Sequence, residues 1–185
     1  MAYAHRAFGA RAHTPQYRWR IVGGGGLLLA VVHTMLLRRM NLGEFTPDLY
    51  SIFALYLGLF ASRQGRYVPC LVLGLIRDFF SLGLLGSYGV LYSLLHKVAG
   101  RARGKLDPER IINVFIMALF GTFLVNFGYH GMLVVSGSGI GWTRALYRCA
   151  SIAVASAPLA VFVYPLMHFG LDKLRVTRLG GFWNI

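Results

Sequence analysis

Two adjacent ionisable residues, Arg77 and Asp78, lie inside an otherwise apolar stretch of the chain. Between Arg66 and His96 no other side chain can ionise, apart from those of tyrosine and cysteine. Holding either charge in hydrocarbon costs ~2.5–3.5 kcal/mol, so both side chains must face other helices or water. Neighbouring residues of a helix point about 100° apart and do not face each other. We therefore expect Arg77 to snorkel or to reach another helix, and Asp78 to find separate partners.

Three roles are open to Asp78. It could accept hydrogen bonds and clamp a break between two helices, it could contact a partner protein, or it could relay protons or act in catalysis. The clamp is the role that we favour. The candidate donors are Ser81, Tyr88, Tyr92 and Asn126.

Other residues with possible chemistry fit structural roles better. Asn126 and His130, four residues apart, form a polar spot in an apolar run, and a metal site would need two further histidines nearby. Ser136 and Ser138 lack the G-x-S-x-G pattern of a serine nucleophile. The remaining acids stand at helix or loop ends, where they cap helices; they are Glu44, Asp48, Asp107, Glu109 and Asp172. We expect no enzyme, no metal and no cofactor.

The composition indicates a bilayer as solvent. Of the 185 residues, 56% are hydrophobic and 14% are charged. In a typical soluble domain about 45–50% of the residues are apolar and about 25% are charged. Six spans of about 20 residues would use about 120 residues and leave no room for a soluble domain. The sequence predicts a basic cytoplasmic tail over 1–20, a single six-helix membrane domain over 21–171 and a cytoplasmic C-terminal tail over 172–185. Cys70 and Cys149 are expected to be buried and inert.

Six hydrophobic segments predict an all-α integral membrane protein; they cover about 21–37, 46–60, 67–80, 88–98, 107–135 and 145–171. Segments three and four are too short for two full crossings and are separated by a break at Gly83 and Gly86. They should cross a thin region or form a re-entrant hairpin. The sequence Thr46-Pro47-Asp48 predicts the start of a helix, with the hydroxyl of Thr46 as the N-cap. Gly74 and Gly89 provide flexibility or small-residue helix contacts.

Basic residues predict the orientation and the contacts with lipid. The net charge is +13, and fourteen Lys and Arg residues fall on one side of the predicted spans against four on the other. Both termini should therefore be cytoplasmic. The clusters should meet anionic lipids, and because no basic stripe interleaves with exposed aromatic residues, nucleic-acid binding is not expected.

Two motifs carry a resemblance to a known family. One is Pro47-Asp48-Leu49 at the start of a short second span, and the other is Gly74-Leu75-x-x-Asp78-x-x-Ser81 followed by Leu84-Leu85-Gly86. Together they resemble MreD, the bacterial rod shape-determining membrane protein family. The candidate structural or partner-interface residues are Pro47, Asp48, Gly74, Arg77, Asp78, Ser81, Gly83, Gly86 and Gly89.

The resemblance implies a non-enzymatic scaffold in the bacterial inner membrane. Members of that family bind the single-pass protein MreC and help to link MreB filaments, indirectly, to peptidoglycan synthesis by RodA and a class B penicillin-binding transpeptidase. Their fold is similar to that of the substrate-binding component of energy-coupling-factor vitamin transporters. Such a component is the alternative function, although the external half offers few polar groups to line a pocket. An intramembrane enzyme would need a nucleophile and base that the sequence does not bring together.

Overall fold

The computed structural model describes residues 19–33, 35, 43–60, 67–81, 84–102, 106, 110–137 and 139–173. Within these residues the chain forms six α-helices and a short 3-10 turn at Gly43–Phe45, and no strand. The helices are α1 (Trp19–Val32), α2 (Leu49–Phe60), α3 (Val68–Ser81), α4 (Ser87–Ala102), α5 (Ile111–Val135) and α6 (Trp142–Lys173). The prediction of an all-helical protein is therefore confirmed. Residues 1–18 and 174–185, which make up most of the tails predicted at 1–20 and 172–185, lie outside the described residues.

Among the described residues, two helices are long and apolar enough to cross a bilayer, namely α5 and the segment Trp142–Met167 of α6. Their outer surfaces carry large exposed apolar side chains such as Phe120 and Phe162. The helices α1 to α4 have only 12 to 16 residues, or about 18–24 Å at 1.5 Å per residue. Because a hydrocarbon core is about 30 Å thick, six complete crossings remain a prediction.

Helix α2 forms the centre of the bundle. Every residue from Tyr50 to Leu59 is buried, and the helix contacts all five others. Its sequence is apolar on all sides, which is typical of a helix surrounded by protein. The residues at its start, Asp48, Tyr50 and Ser51, are buried, so side chains help to satisfy its first backbone N–H groups. Polar side chains of other helices accordingly lie close to the start of α2.

Helices α3 and α4 form a tight hairpin. Its turn contains Gly86 in the left-handed region with a φ of 89°, while Gly83 lies outside the described residues. The two backbones touch at Gly74, where an added Cβ would lie 2.3 Å from the backbone nitrogen of Gly89. Small residues therefore set the distance between the two helices, as expected for close helix packing.

The starts of two helices differ from the predicted ones. Asp48, rather than Thr46, caps α2, because its Oδ1 accepts a hydrogen bond from the backbone N–H of Ser51 at 3.1 Å. The hydroxyl of Thr46 instead donates to the carbonyl oxygen of Gly43 at 2.9 Å. Helix α6 begins at Trp142, three residues before the predicted start at Ala145. The proposed cap at 107–109 lies outside the described residues.

Candidate functional site

Arg77 forms a buried ion pair with Asp48. Its Nη1 lies 2.6 Å from Oδ2 of Asp48, and the same nitrogen donates to the hydroxyl of Tyr92. The guanidinium also lies over the ring of Tyr88, 3.8 Å from its centroid, in the geometry of a cation–π contact. The expectation that Arg77 snorkels or reaches another helix is thus resolved: it reaches the start of α2, 29 residues earlier in the chain.

Asp48 joins four helices. Its Oδ2 accepts hydrogen bonds from the hydroxyl of Ser51 at 2.6 Å and from Nδ2 of Asn126 at 3.1 Å. Its backbone N–H donates to the hydroxyl of Ser156 at 2.8 Å. With Arg77 on α3, Asn126 on α5 and Ser156 on α6, these bonds tie α2 to three neighbours. A buried carboxylate is tolerated when it is paired and hydrogen-bonded in this way. We call these five residues the Asp48 junction.

Asp78 belongs to a separate arrangement at the α3–α4 turn. Its carboxylate accepts hydrogen bonds from the backbone N–H groups of Gly86 at 2.9 Å and Tyr88 at 3.3 Å, and from the hydroxyl of Ser87 at 3.3 Å. These groups form the N-terminus of α4, where a negative charge is favourable. Asp78 is 1% exposed, and its hydrogen bonds link the end of α3 to the start of α4; that they clamp the turn remains a prediction.

The predicted donors to Asp78 are mostly wrong. Tyr92 and Asn126 bond to Arg77 and Asp48 instead, and Ser81 bonds only to the backbone carbonyl of Asp78. Tyr88 contributes its backbone N–H, while its ring stacks on that of Tyr129 with centroids 4.3 Å apart. Arg77 and Asp78 thus serve two networks on different sides of α3.

Removing the Asp78 carboxylate should loosen the hairpin. We expect Asp78→Ala to lower the free energy of unfolding by about 0.5–2 kcal/mol, the usual cost of losing a helix N-cap. Ser81→Ala is the matched control, because Ser81 is exposed and makes one weak bond to a carbonyl, and it should change stability by less than about 0.5 kcal/mol. Unfolding of the purified protein by titration with SDS would measure the free energy of unfolding of both variants. Equal effects of the two variants would contradict the capping role.

The remaining candidate residues support these two networks. Pro47 is buried directly before Asp48, Gly74 and Gly89 form the contact between α3 and α4, and Gly86 forms the turn. Ser81 is exposed at the end of α3. A role of any of them in contacting a partner remains a prediction.

A cavity of about 460 Å³ lies beside the Asp48 junction. Its polar lining includes His33, Glu44, Asp48, Tyr50, Arg77, Asn126, His130 and Arg148. It lies at the end of the bundle where α2 begins and α5 ends, and that this end is external remains a prediction. From the sequence we expected few polar groups to line a pocket at the end predicted to be external, yet polar residues distant in sequence converge on this cavity. The sequence had placed only two of these residues together, Asn126 and His130, by their spacing on α5.

The described residues hold little that could catalyse a reaction. No group of three His, Cys, Asp or Glu side chains among them could hold a metal ion. Cys70 does lie near a possible base, with its Sγ 3.5 Å from Nδ1 of His96, a contact that the sequence did not predict. Both residues are buried in the core and neither lines the cavity beside the Asp48 junction. The contact therefore fits packing better than reaction with a substrate.

A helical bundle with an apolar exterior and a sheltered ion pair is typical of the class of helical membrane proteins. Within that class, the chain matches the family model described as rod shape-determining protein MreD over residues 22–170. The chain belongs to this family and has a role in rod-shape determination. Comparison with curated proteins and with solved structures gave no match. The likeness to the energy-coupling-factor fold remains a prediction.

Proposed function

We propose that this protein is a membrane scaffold of the bacterial cell-elongation machinery that binds the transmembrane helix of an MreC-like single-pass protein. Through that partner it would couple MreB filaments to peptidoglycan synthesis by RodA and a class B transpeptidase. It would lie in the inner membrane as a single domain over 21–171, with both termini in the cytoplasm against anionic lipids. The family match supports the biological role, and an exposed apolar face on α3 and α4 supports the binding mode.

This face, which we call the hairpin face, consists of Leu75 and Phe79 on α3 and of Val90, Leu94 and Val98 on α4. All five side chains are exposed. The three residues on α4 are spaced by four positions and form one stripe along the helix. The side chain of Leu75 lies 3.7 Å from where a Cβ of Gly89 would stand, so the two halves of the face adjoin.

Helix length favours the hairpin face over the longer helices as the docking site. With 14 and 16 residues, α3 and α4 fall short of the hydrocarbon thickness by roughly 6–9 Å. A short hydrophobic element thins the bilayer around it, and this cost promotes association with other helices. A full-length partner helix packed on the hairpin face would relieve the mismatch. Helix α5, which has 25 residues, has no such need.

A bulky substitution on the hairpin face should block partner binding. Leu94 on α4 and Leu124 on α5 are 57% and 54% exposed, so Leu124→Trp is a matched control for Leu94→Trp. We expect Leu94→Trp to reduce recovery of a co-expressed MreC-like protein in a detergent pull-down about tenfold, which corresponds to about 1.4 kcal/mol. Leu124→Trp should leave recovery unchanged. Loss of the partner with Leu124→Trp alone would place the binding site on α5 instead.

The cavity beside the Asp48 junction favours a second candidate, the substrate-binding component of a vitamin transporter. At about 460 Å³ it falls within the size range of small-molecule sites. A vitamin that survives purification, together with a co-purifying ATPase, would favour this function over the scaffold. Recovery of the MreC-like protein without either would favour the scaffold.

A further inference from the structure

Two adjoining cavities share the wall formed by Glu44, His130, Ile140 and Arg148. The first is the 460 Å³ cavity beside the Asp48 junction, and the second, of about 290 Å³, extends to the start of α6. The shared residues line both. The two spaces can therefore hold different parts of one ligand.

Three buried polar atoms of the larger cavity lack a hydrogen-bond partner among the described residues. They are Nδ1 of His33, Nδ1 of His130 and the hydroxyl of Tyr50, and all three residues line this cavity. Tyr50 is 2% exposed and His130 is 6% exposed, so bulk water does not readily satisfy them. An unsatisfied buried polar group costs about 1–3 kcal/mol, and polar groups in such positions normally bind water or a ligand.

Positive charge is concentrated at the second cavity. Arg144 and Arg148 lie one turn apart in the first two turns of α6, and both line it. The ion pair between described residues joins Arg77 to Asp48, so neither of these two guanidinium groups forms an ion pair with a described carboxylate. The backbone N–H groups at the start of this 32-residue helix add partial positive charge.

Guanidinium groups bind phosphate with paired hydrogen bonds. We propose that the two cavities together bind one ligand with a phosphate group, either the headgroup of a lipid or a soluble phosphate ester. The phosphate lies between Arg144, Arg148 and His130, and the polar body of the ligand reaches His33 and Tyr50. This site is independent of partner docking on the hairpin face.

Glu44 sets the charge that the site accepts. Among the described residues it is the only carboxylate lining the second cavity, and Asp48, the other carboxylate in the described lining of the two cavities, is already paired with Arg77. A negative charge there opposes a second negative charge on the ligand. The site should therefore prefer a single phosphate group over a diphosphate, and removal of the Glu44 charge should strengthen the binding of anions.

Binding can be measured with the purified full-length chain in a zwitterionic detergent by isothermal titration calorimetry. Dihexanoyl phosphatidic acid represents the lipid source and glycerol 3-phosphate the soluble source. We expect one of the two to bind with a stoichiometry of one, and whichever binds identifies the source. Arg148→Gln should weaken that binding at least tenfold, whereas Glu44→Gln should strengthen it about threefold.

Arg101→Gln is the control, because Arg101 is exposed in the last turn of α4 and lines neither cavity. It should leave binding unchanged. Both Arg148 and Glu44 lie outside the buried core, so their variants should fold, and opposite changes in affinity cannot result from unfolding. Failure of both compounds to bind would overturn the proposal. Equal weakening by Arg101→Gln and Arg148→Gln would overturn it as well.

Discussion

Asp48→Asn is expected to lower the free energy of unfolding by about 3–5 kcal/mol, because it leaves the charge of Arg77 buried without its counterion. Asparagine has nearly the shape of aspartate and is an equally good N-cap residue. It can still accept the hydrogen bond from the backbone N–H of Ser51, which Asp48 accepts at 3.1 Å. The loss would therefore report on the ion pair rather than on the cap of α2.

A double-mutant cycle separates the ion pair from the other bonds of the Asp48 junction. Arg77→Met removes the cation and keeps an apolar side chain of similar length. Replacing both members of a buried pair is often close to neutral, whereas removing one is not. We expect the protein with both Asp48→Asn and Arg77→Met to be more stable than the one with Asp48→Asn alone.

Unfolding by titration with SDS, in the same detergent for every variant, would give the four free energies of the cycle. Glu44→Gln is the control for loss of a carboxylate, since Glu44 is only partly buried and has no ion-pair partner among the described residues. Its effect should stay within about 0.5 kcal/mol. Additive losses in the cycle would show that Arg77 and Asp48 act independently, contrary to the geometry.

Gly74→Ala is the second change with a large expected effect. A Cβ at this position would lie 2.3 Å from the nitrogen and 2.4 Å from the Cα of Gly89, and backbone atoms cannot rotate away as a side chain can. Helices α3 and α4 would have to separate. We expect the free energy of unfolding to fall by about 3 kcal/mol, at the upper end for overpacked cores, despite the helix propensity of alanine.

Gly89→Ala tests the opposite side of the same contact. Its Cβ would meet the carbonyl oxygen of Leu71 at 3.4 Å and the side chain of Leu75 at 3.7 Å, which are ordinary van der Waals distances. This variant should be neutral or more stable by up to about 1 kcal/mol, because alanine favours the helix. The midpoint of thermal unfolding in detergent would show which of the two variants, Gly74→Ala or Gly89→Ala, is less stable. Little or no loss of stability in Gly74→Ala would indicate that α3 and α4 are farther apart than described.

Much of the local structure could be predicted from hydropathy. The apolar runs end at Phe60 and Val135, where α2 and α5 also end, and the run at 67–80 lies within one residue of α3. Such limits depend on residues close together in the chain. The start of α2 was harder to predict, because two possible capping side chains, Thr46 and Asp48, flank a proline. Only the hydrogen bonds show that Asp48, and not Thr46, is the N-cap.

The candidate site was predicted in part. The sequence identified Arg77 and Asp78 as candidate residues because charges in apolar segments need partners. It also indicated Asn126 as a possible hydrogen-bond donor to Asp78. The partner of Arg77 was not identified, because Asp48 is 29 residues away and its position before a helix already explained it as a cap. The unpaired groups of His33 and Tyr50 gave no signal, since a single histidine or tyrosine has many possible environments.

The sequence by itself determined that this chain is helical, where most of its helices end, and which charged residues need shelter from lipid. These properties follow from the local pattern of apolar side chains and from the cost of an isolated charge. Only the tertiary structure decided that Arg77 pairs with Asp48, that Asp78 caps α4, and that polar groups surround a cavity. Those pairings depend on how the helices pack, because bonds between distant residues form only after the backbone has placed them within about 3 Å.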